Sequence, residues 1–135
     1  MTTRRFLVLT LLWAALLLVA CRTAGEPVTA AEVEDMATSA LAGLNEDDYD
    51  AWTEHFGSTM KGAVPRSTFA TVREGVLAAV GPFESVESVD SEPAQTDGYT
   101  RWIVTGTFEK GRLRLVYVIP NDGSRIDGVT FEEVN

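Results

Sequence analysis

The chain has one histidine and one cysteine, so nucleophilic, redox and metal chemistry have few places to reside. His55 falls at the edge of an aromatic stripe, Tyr49, Trp52 and Phe56, with Asp48 seven residues earlier on nearly the same side of a helix. A His–carboxylate pair there would be the one general-base candidate, although a histidine straddling core and water fits the same pattern. One histidine without partner cysteines does not make a tetrahedral zinc site. The acidic run Asn45-Glu-Asp-Asp-Tyr-Asp50 invites a calcium reading and fails it. Its sixth position is Asp50 where a glycine turn is needed, and its twelfth is Phe56 where a bidentate glutamate belongs. Negative charge at a helix start explains these acids better. No Gly-rich phosphate loop, nucleophile elbow or Cys/His dyad is present, and Ser58, Ser67 and Ser85 stand without an evident base.

What remains is aromatic. Trp102 and Tyr117 offer the only polar tips on the inferred core face of a central hairpin, and neither is a base near neutral pH. With Phe108 and the stripe of Tyr49, Trp52 and Phe56 they are candidates for lining a pocket for a small apolar ligand. The opposite face of that hairpin carries Arg101, Arg112 and Arg114 together with Ile103, Val116 and Val118. These six are interface candidates for an acidic partner, an anionic ligand or a second copy of the chain, with Glu109 expected to balance the arginines. No metal and no cofactor is expected.

These side chains are positioned by two kinds of element. Thr29-Ala-Ala-Glu32 reads as a capping box, followed by Val33, Met36, Ala37, Ala40, Leu41 and Leu44 at helical spacing. A second helix capped by Asp47 or Asp48 carries Tyr49, Trp52 and Phe56 and ends at Gly57. Ser58 to Val64 reads as irregular. A third helix starts near Pro65 to Ser67, turns Phe69, Val72, Val76, Leu77 and Val80 inward, and stops at Gly81-Pro82.

From Phe83 the period becomes two. Phe83 to Val89 reads as a strand and Asp90 to Gly98 as a polar loop. Tyr99 to Glu109 and Arg112 to Pro120 form a hairpin around Lys110-Gly111. Asp122-Gly123 turns the chain into a last strand, Arg125 to Val134. Alternation puts Trp102, Val104, Gly106 and Phe108 on one face with Leu113, Leu115, Tyr117 and Ile119. A bulge at Gly128 is needed to bring Val129 and Phe131 to the side that receives Ile126. The fold class is therefore α+β, with N-terminal helices packed on a curved antiparallel sheet.

The N-terminus has its own logic. Arg4 and Arg5 precede Phe6 to Ala20, an uncharged run of about 15 residues, the layout of a secretory signal peptide. A permanent span needs roughly 20 apolar residues. Leu18-Val19-Ala20-Cys21 resembles the bacterial and archaeal lipobox, which implies cleavage after residue 20 and lipid on Cys21. Thr3-Arg4-Arg5-Phe6-Leu7 also resembles a twin-arginine export signal. The division is then 1–20 signal peptide, 21–28 lipidated cysteine and short tether, and 29–135 one α+β domain. Localisation would be the extracytoplasmic face of the membrane in the cell envelope.

The chain carries a net charge of −9, and losing residues 1–20 removes two arginines and no acid, giving −11. Such a surface repels nucleic acid and anionic headgroups, which excludes both as direct partners. Lipid on Cys21 is the expected link to the membrane. A homodimer or an envelope protein is the expected macromolecular partner, if any.

The order of helices followed by a meander is similar to the cystatin-like cone of the nuclear-transport-factor-two-like (SnoaL-like) superfamily. "ALAGLNEDDYDAWTEHF" (Ala40 to Phe56), the Gly81-Pro82-Phe83 turn and "GSRIDGVTF" (Gly123 to Phe131) resemble an uncharacterised domain family of secreted proteins and lipoproteins. The resemblance implies a pocket between sheet and helices. It also implies three readings: a non-catalytic binding module, which the hairpin favours; an isomerase or cyclase using Tyr117 with a helix-borne acid; and a homodimeric assembly module.

Overall fold

The computed structural model describes residues 25–123 and 125–134, so Cys21 and the expected leader lie outside the described residues. Helix α1, Ala30–Glu46, begins at the expected capping box: Thr29 N–H donates to Glu32 Oε2 at 2.7 Å, and Glu32 N–H to Thr29 Oγ1 at 3.3 Å. It buries Val33, Ala37, Ala40, Leu41 and Leu44 and ends at Asp47 in the left-handed region.

Helix α2, Tyr49–Thr53, is capped by Asp48, whose side chain accepts from Ala51 N–H at 3.0 Å. It stops a turn earlier than the sequence predicts. His55 to Gly57 leave the helix because their backbone pairs with the end of the chain: Ile126 N–H donates to His55 O at 2.8 Å, and Gly57 N–H to Ile126 O at 2.9 Å. Phe56 thus belongs to a parallel bridge with Ile126, not to the helical stripe. Asp48 is spent on the cap, so the His55–Asp48 pair does not form.

Ser58 to Val64, expected to be irregular, contains helix α3, Ser58–Ala63. Gly57 caps it without a side-chain hydrogen bond, and a six-residue helix containing Gly62 has no apolar period to announce it. Helix α4, Arg66–Val80, follows Pro65 and ends at Gly81 with φ +74°, as expected.

The sheet is a four-stranded antiparallel meander in the order β1-β2-β3-β4. Strand β1, Phe83–Pro93, extends through the expected loop as far as Pro93, because its backbone continues to pair with β2, Tyr99–Phe108. Two register shifts explain its burial pattern. Phe83, Val86 and Val89 all face inward at a spacing of three, which a strand permits only when an extra residue is inserted between them.

Strand β3, Gly111–Pro120, pairs Phe108 with Gly111 and Trp102 with Tyr117, so the turn is Glu109-Lys110 and not Lys110-Gly111. The shift is two residues and preserves every inward and outward assignment. Neither turn residue has positive φ. Helix α4 supplies the constraint instead: Lys110 N–H donates to Val80 O at 2.8 Å and Glu109 N–H to Pro82 O at 2.9 Å.

Strand β4 runs Gly128–Glu133, shorter than predicted, with Val129 opposite Tyr117 and Phe131 opposite Leu115 on the inward face. Asp127 N–H donates to Val118 O at 2.9 Å while Gly128 is also the partner of Val118, so two residues oppose one. That is the irregularity the sequence asks for at Gly128. It lets Ile126 and Val129 point to the same side.

Helix α1 lies against β1 and α2, and the core fills the space between the helices and the inward sheet face. Asn45 fastens the two layers: its Nδ2 donates to Phe83 O at 2.9 Å and its Oδ1 accepts from Phe83 N–H at 2.8 Å. Among the described residues no helix is long and apolar enough to cross a membrane.

Candidate functional site

An apolar groove of about 390 Å³ runs along β4. Trp52 of α2 forms its floor. Met60 of α3 and Val64 beyond it, with Val72 of α4, form one wall, and Val129 and Phe131 of β4 form the other. Thr68 and Thr130 stand exposed at its rim.

The floor is held in place by aromatic contacts. Trp52 is 3% exposed and stacks on Phe131, with the Phe56 ring edge-on at 6.0 Å. Its Nε1–H is buried and has no hydrogen-bond partner among the described residues. Buried donors are almost always satisfied, so this one is either a cost to the fold or a donor waiting for an acceptor. Tyr49 acts behind the wall: its hydroxyl donates to Val64 O at 2.7 Å, its ring meets Phe69 edge-on, and the Arg66 guanidinium lies 4.6 Å above it.

The sequence-predicted pocket residues do not share one cavity. Trp52 lines the groove. Phe56 lines a separate concavity of about 320 Å³ with His55, Glu54, Arg125, Met36 and Ile126. There His55 Nε2 lies 3.8 Å from Glu54, and Arg125 bonds to Asp127 at 2.8 Å. Phe108 is buried edge-on against Phe83, and Trp102 is half-buried at the less covered end of the sheet. Tyr117 is 1% exposed, and burial alone pushes its hydroxyl well above the ordinary phenol value, with no charged group acting on it. Groove residues Met60 and Val64 were missed because α3 has no periodic signature.

On the outer sheet face the six interface candidates do fall together, but two of the three arginines, Arg101 and Arg112, are paired. Arg101 donates to both Glu92 of β1 and Glu132 of β4, and Arg112 lies 3.2 Å from Glu87. The bond to Glu92 is the first cause that raises the Arg101 pKa. These acids, rather than Glu109, balance the row. In the sheet lattice Val116 stands on the diagonal from Arg101 to Glu132, and it is only 2% exposed although it faces outward. The long arginine stem therefore roofs the apolar centre of this face. Ile103 and Val118 beside it are half-buried, and Arg114 is exposed.

No group of three or more His, Cys, Asp or Glu side chains that would hold a metal occurs among the described residues. Compared with known proteins, the chain matches no family, no curated protein and no solved structure.

Proposed function

We propose that this chain is an extracytoplasmic lipoprotein, held at the membrane by lipid on Cys21, whose domain is a non-catalytic binding module of the nuclear-transport-factor-two-like cone type. The groove receives apolar groups of a small ligand or of a partner protein. The observation that carries this reading is the groove itself, lined by apolar side chains from three helices and a strand. Helices followed by a four-stranded meander support the cone. The lipobox-like Leu18-Val-Ala-Cys21 supports the anchor.

Three measurements test it. Native mass spectrometry of protein purified gently from its host envelope should show a retained small mass, and the neutral dye N-phenylnaphthylamine should bind with a fluorescence increase. Val72→Trp, which fills the groove without burying charge, should abolish both. Dye binding unaffected by Val72→Trp would move the site elsewhere. Membrane fractionation of Cys21→Ser checks the anchor, and a variant that stays with the membrane refutes it.

A further inference from the structure

The two edges of the sheet are guarded differently. The β1 edge carries Pro93, the acids Glu84, Glu87, Asp90 and Glu92, and two register shifts, all devices that discourage a further strand from pairing. The β4 ladder has no register shift from Gly128 to Glu133 and no proline, and Val129, Thr130 and Phe131 at its centre are uncharged. Among the described residues β4 pairs only with β3.

Antiparallel alternation fixes which backbone groups remain. Asn121 N–H donates to Gly98 O at 2.8 Å, which assigns the odd-numbered residues of β3 to β2. Val118, Val116 and Arg114 then bond to Gly128, Thr130 and Glu132. The N–H and C=O groups of Val129, Phe131 and Glu133 point out of the sheet, and Val129 and Phe131 are also the groove's sheet-side wall.

This edge already accepts one extended segment. His55 to Gly57 pair in parallel with Ile126, and the chain then turns away into α3, whose Met60 becomes the opposite wall. Among the described residues the edge is thus left open where the groove begins. A small apolar molecule would fill the groove and leave the outward backbone groups unmatched; a peptide answers both.

We propose that β4 and the groove bind an extended segment of a partner protein as a fifth strand, with alternate apolar side chains entering between β4 and α3/α4 and a basic residue reaching Glu133. This rests on the groove being the binding site. Charge selects the partner: Glu133 is exposed at the end of β4 on a chain of net charge −9, which attracts a basic segment and opposes a second copy. A second copy would also bring its own α3 and α4 walls onto the same face of the joined sheet.

The test uses the full chain in mild detergent and, as probe, a synthetic peptide of alternating valine and threonine flanked by lysines, with a glutamate-flanked counterpart. The lysine peptide should bind more tightly and more weakly at high salt, and should slow amide exchange at Val129 and Phe131. Val129→Pro removes one outward N–H while leaving the ladder to β3, and it should weaken the peptide by about tenfold or more. Equal peptide affinity for Val129→Pro and wild type, with the dye bound by both, overturns the strand addition and leaves the groove reading intact. If neither dye nor peptide binds wild type, both fall. Should Val129→Pro not fold, unchanged exchange at Val129 and Phe131 under saturating peptide overturns the proposal by itself. Amides that slow with protein concentration alone identify a second copy as the occupant and overturn the peptide. Amides already slow in dilute chain without peptide show the edge occupied from within the chain and do the same.

Discussion

Trp52 lies flat on Phe131, ring centroids 5.8 Å apart and planes 9° apart, so one stacked pair joins the second helix to the last strand. Phe56 edge-on and Phe69 tilted at 6.3 Å complete the cluster. The same indole holds a buried N–H that no group among the described residues satisfies. Packing and polarity therefore act against each other in one side chain.

Trp52→Ala should cost about 3 to 5 kcal/mol, the usual result of deleting a buried aromatic. Trp52→Phe should cost less than about 1.5 kcal/mol, because removing an unmatched donor returns about 1 to 3 kcal/mol against the smaller ring's lost packing. Urea unfolding of both variants checks this. A Phe variant as damaged as the Ala variant would mean that the N–H is matched by something bound.

The stacked pair also shows how far the sequence could be read. The inward assignment of Phe131 followed from alternation plus a glycine, and holds because side-chain parity survives the observed two-residue shift of the central hairpin. The capping box and Gly81-Pro82 announced α1 and the end of α4 because each acts within a few residues. What was hidden depends on distant partners. Phe56 left its helix for Ile126, seventy residues on, and β1 ran on past Val89 because β2 supplied its hydrogen bonds. The groove needed α3, whose short turn carries no period, so its Met60 and Val64 wall was invisible while its Trp52 floor was named.

Arg101 ties both sheet edges through Glu92 and Glu132 and roofs Val116. Arg101→Met keeps the roof and loses the charge, and should cost about 1 kcal/mol, since exposed ion pairs contribute little each. Arg101→Ala also uncovers Val116 and should cost about 2 kcal/mol. Salt near 1 M should shrink the first cost and leave the difference between the two variants, as read by chemical unfolding. Because the Arg101 pKa is raised, the guanidinium stays charged wherever the two carboxylates are ionised, so its share of this contribution is lost only in strong alkali, while protonation of Glu92 and Glu132 removes the pairs in acid.

Asn45 both donates to and accepts from Phe83, fixing the start of β1 to the end of α1. Asn45→Ala leaves a half-buried backbone pair unmatched and should cost about 2 to 3 kcal/mol. Asn45→Asp keeps the acceptor but sets a carboxylate against Phe83 O. It should be destabilised at neutral pH and recover in part below about pH 4, where the carboxyl can donate. An Asp variant whose stability only falls on acidification would show that the donor bond contributes nothing.

Tyr117 is buried opposite Trp102 at the centre of the sheet, and burial holds its hydroxyl in the protonated form. Its folded pKa is raised above the unfolded value of 10.0, so the folded chain retains a proton that the unfolded chain releases in alkali. The resulting contribution is fully present below pH 10 and declines as pH climbs toward the folded value, at about 1.4 kcal/mol per pH unit. Tyr117→Phe should be within about 1 kcal/mol of wild type at neutral pH and should lose that slope above pH 10. Unfolding free energies between pH 8 and about 11 give the slopes, and phenolate absorbance compared with the Phe variant locates the group. A phenolate that forms at Tyr117 near pH 10 with the fold intact would mean that solvent or an acceptor reaches the hydroxyl, and would reopen it as a site for proton transfer.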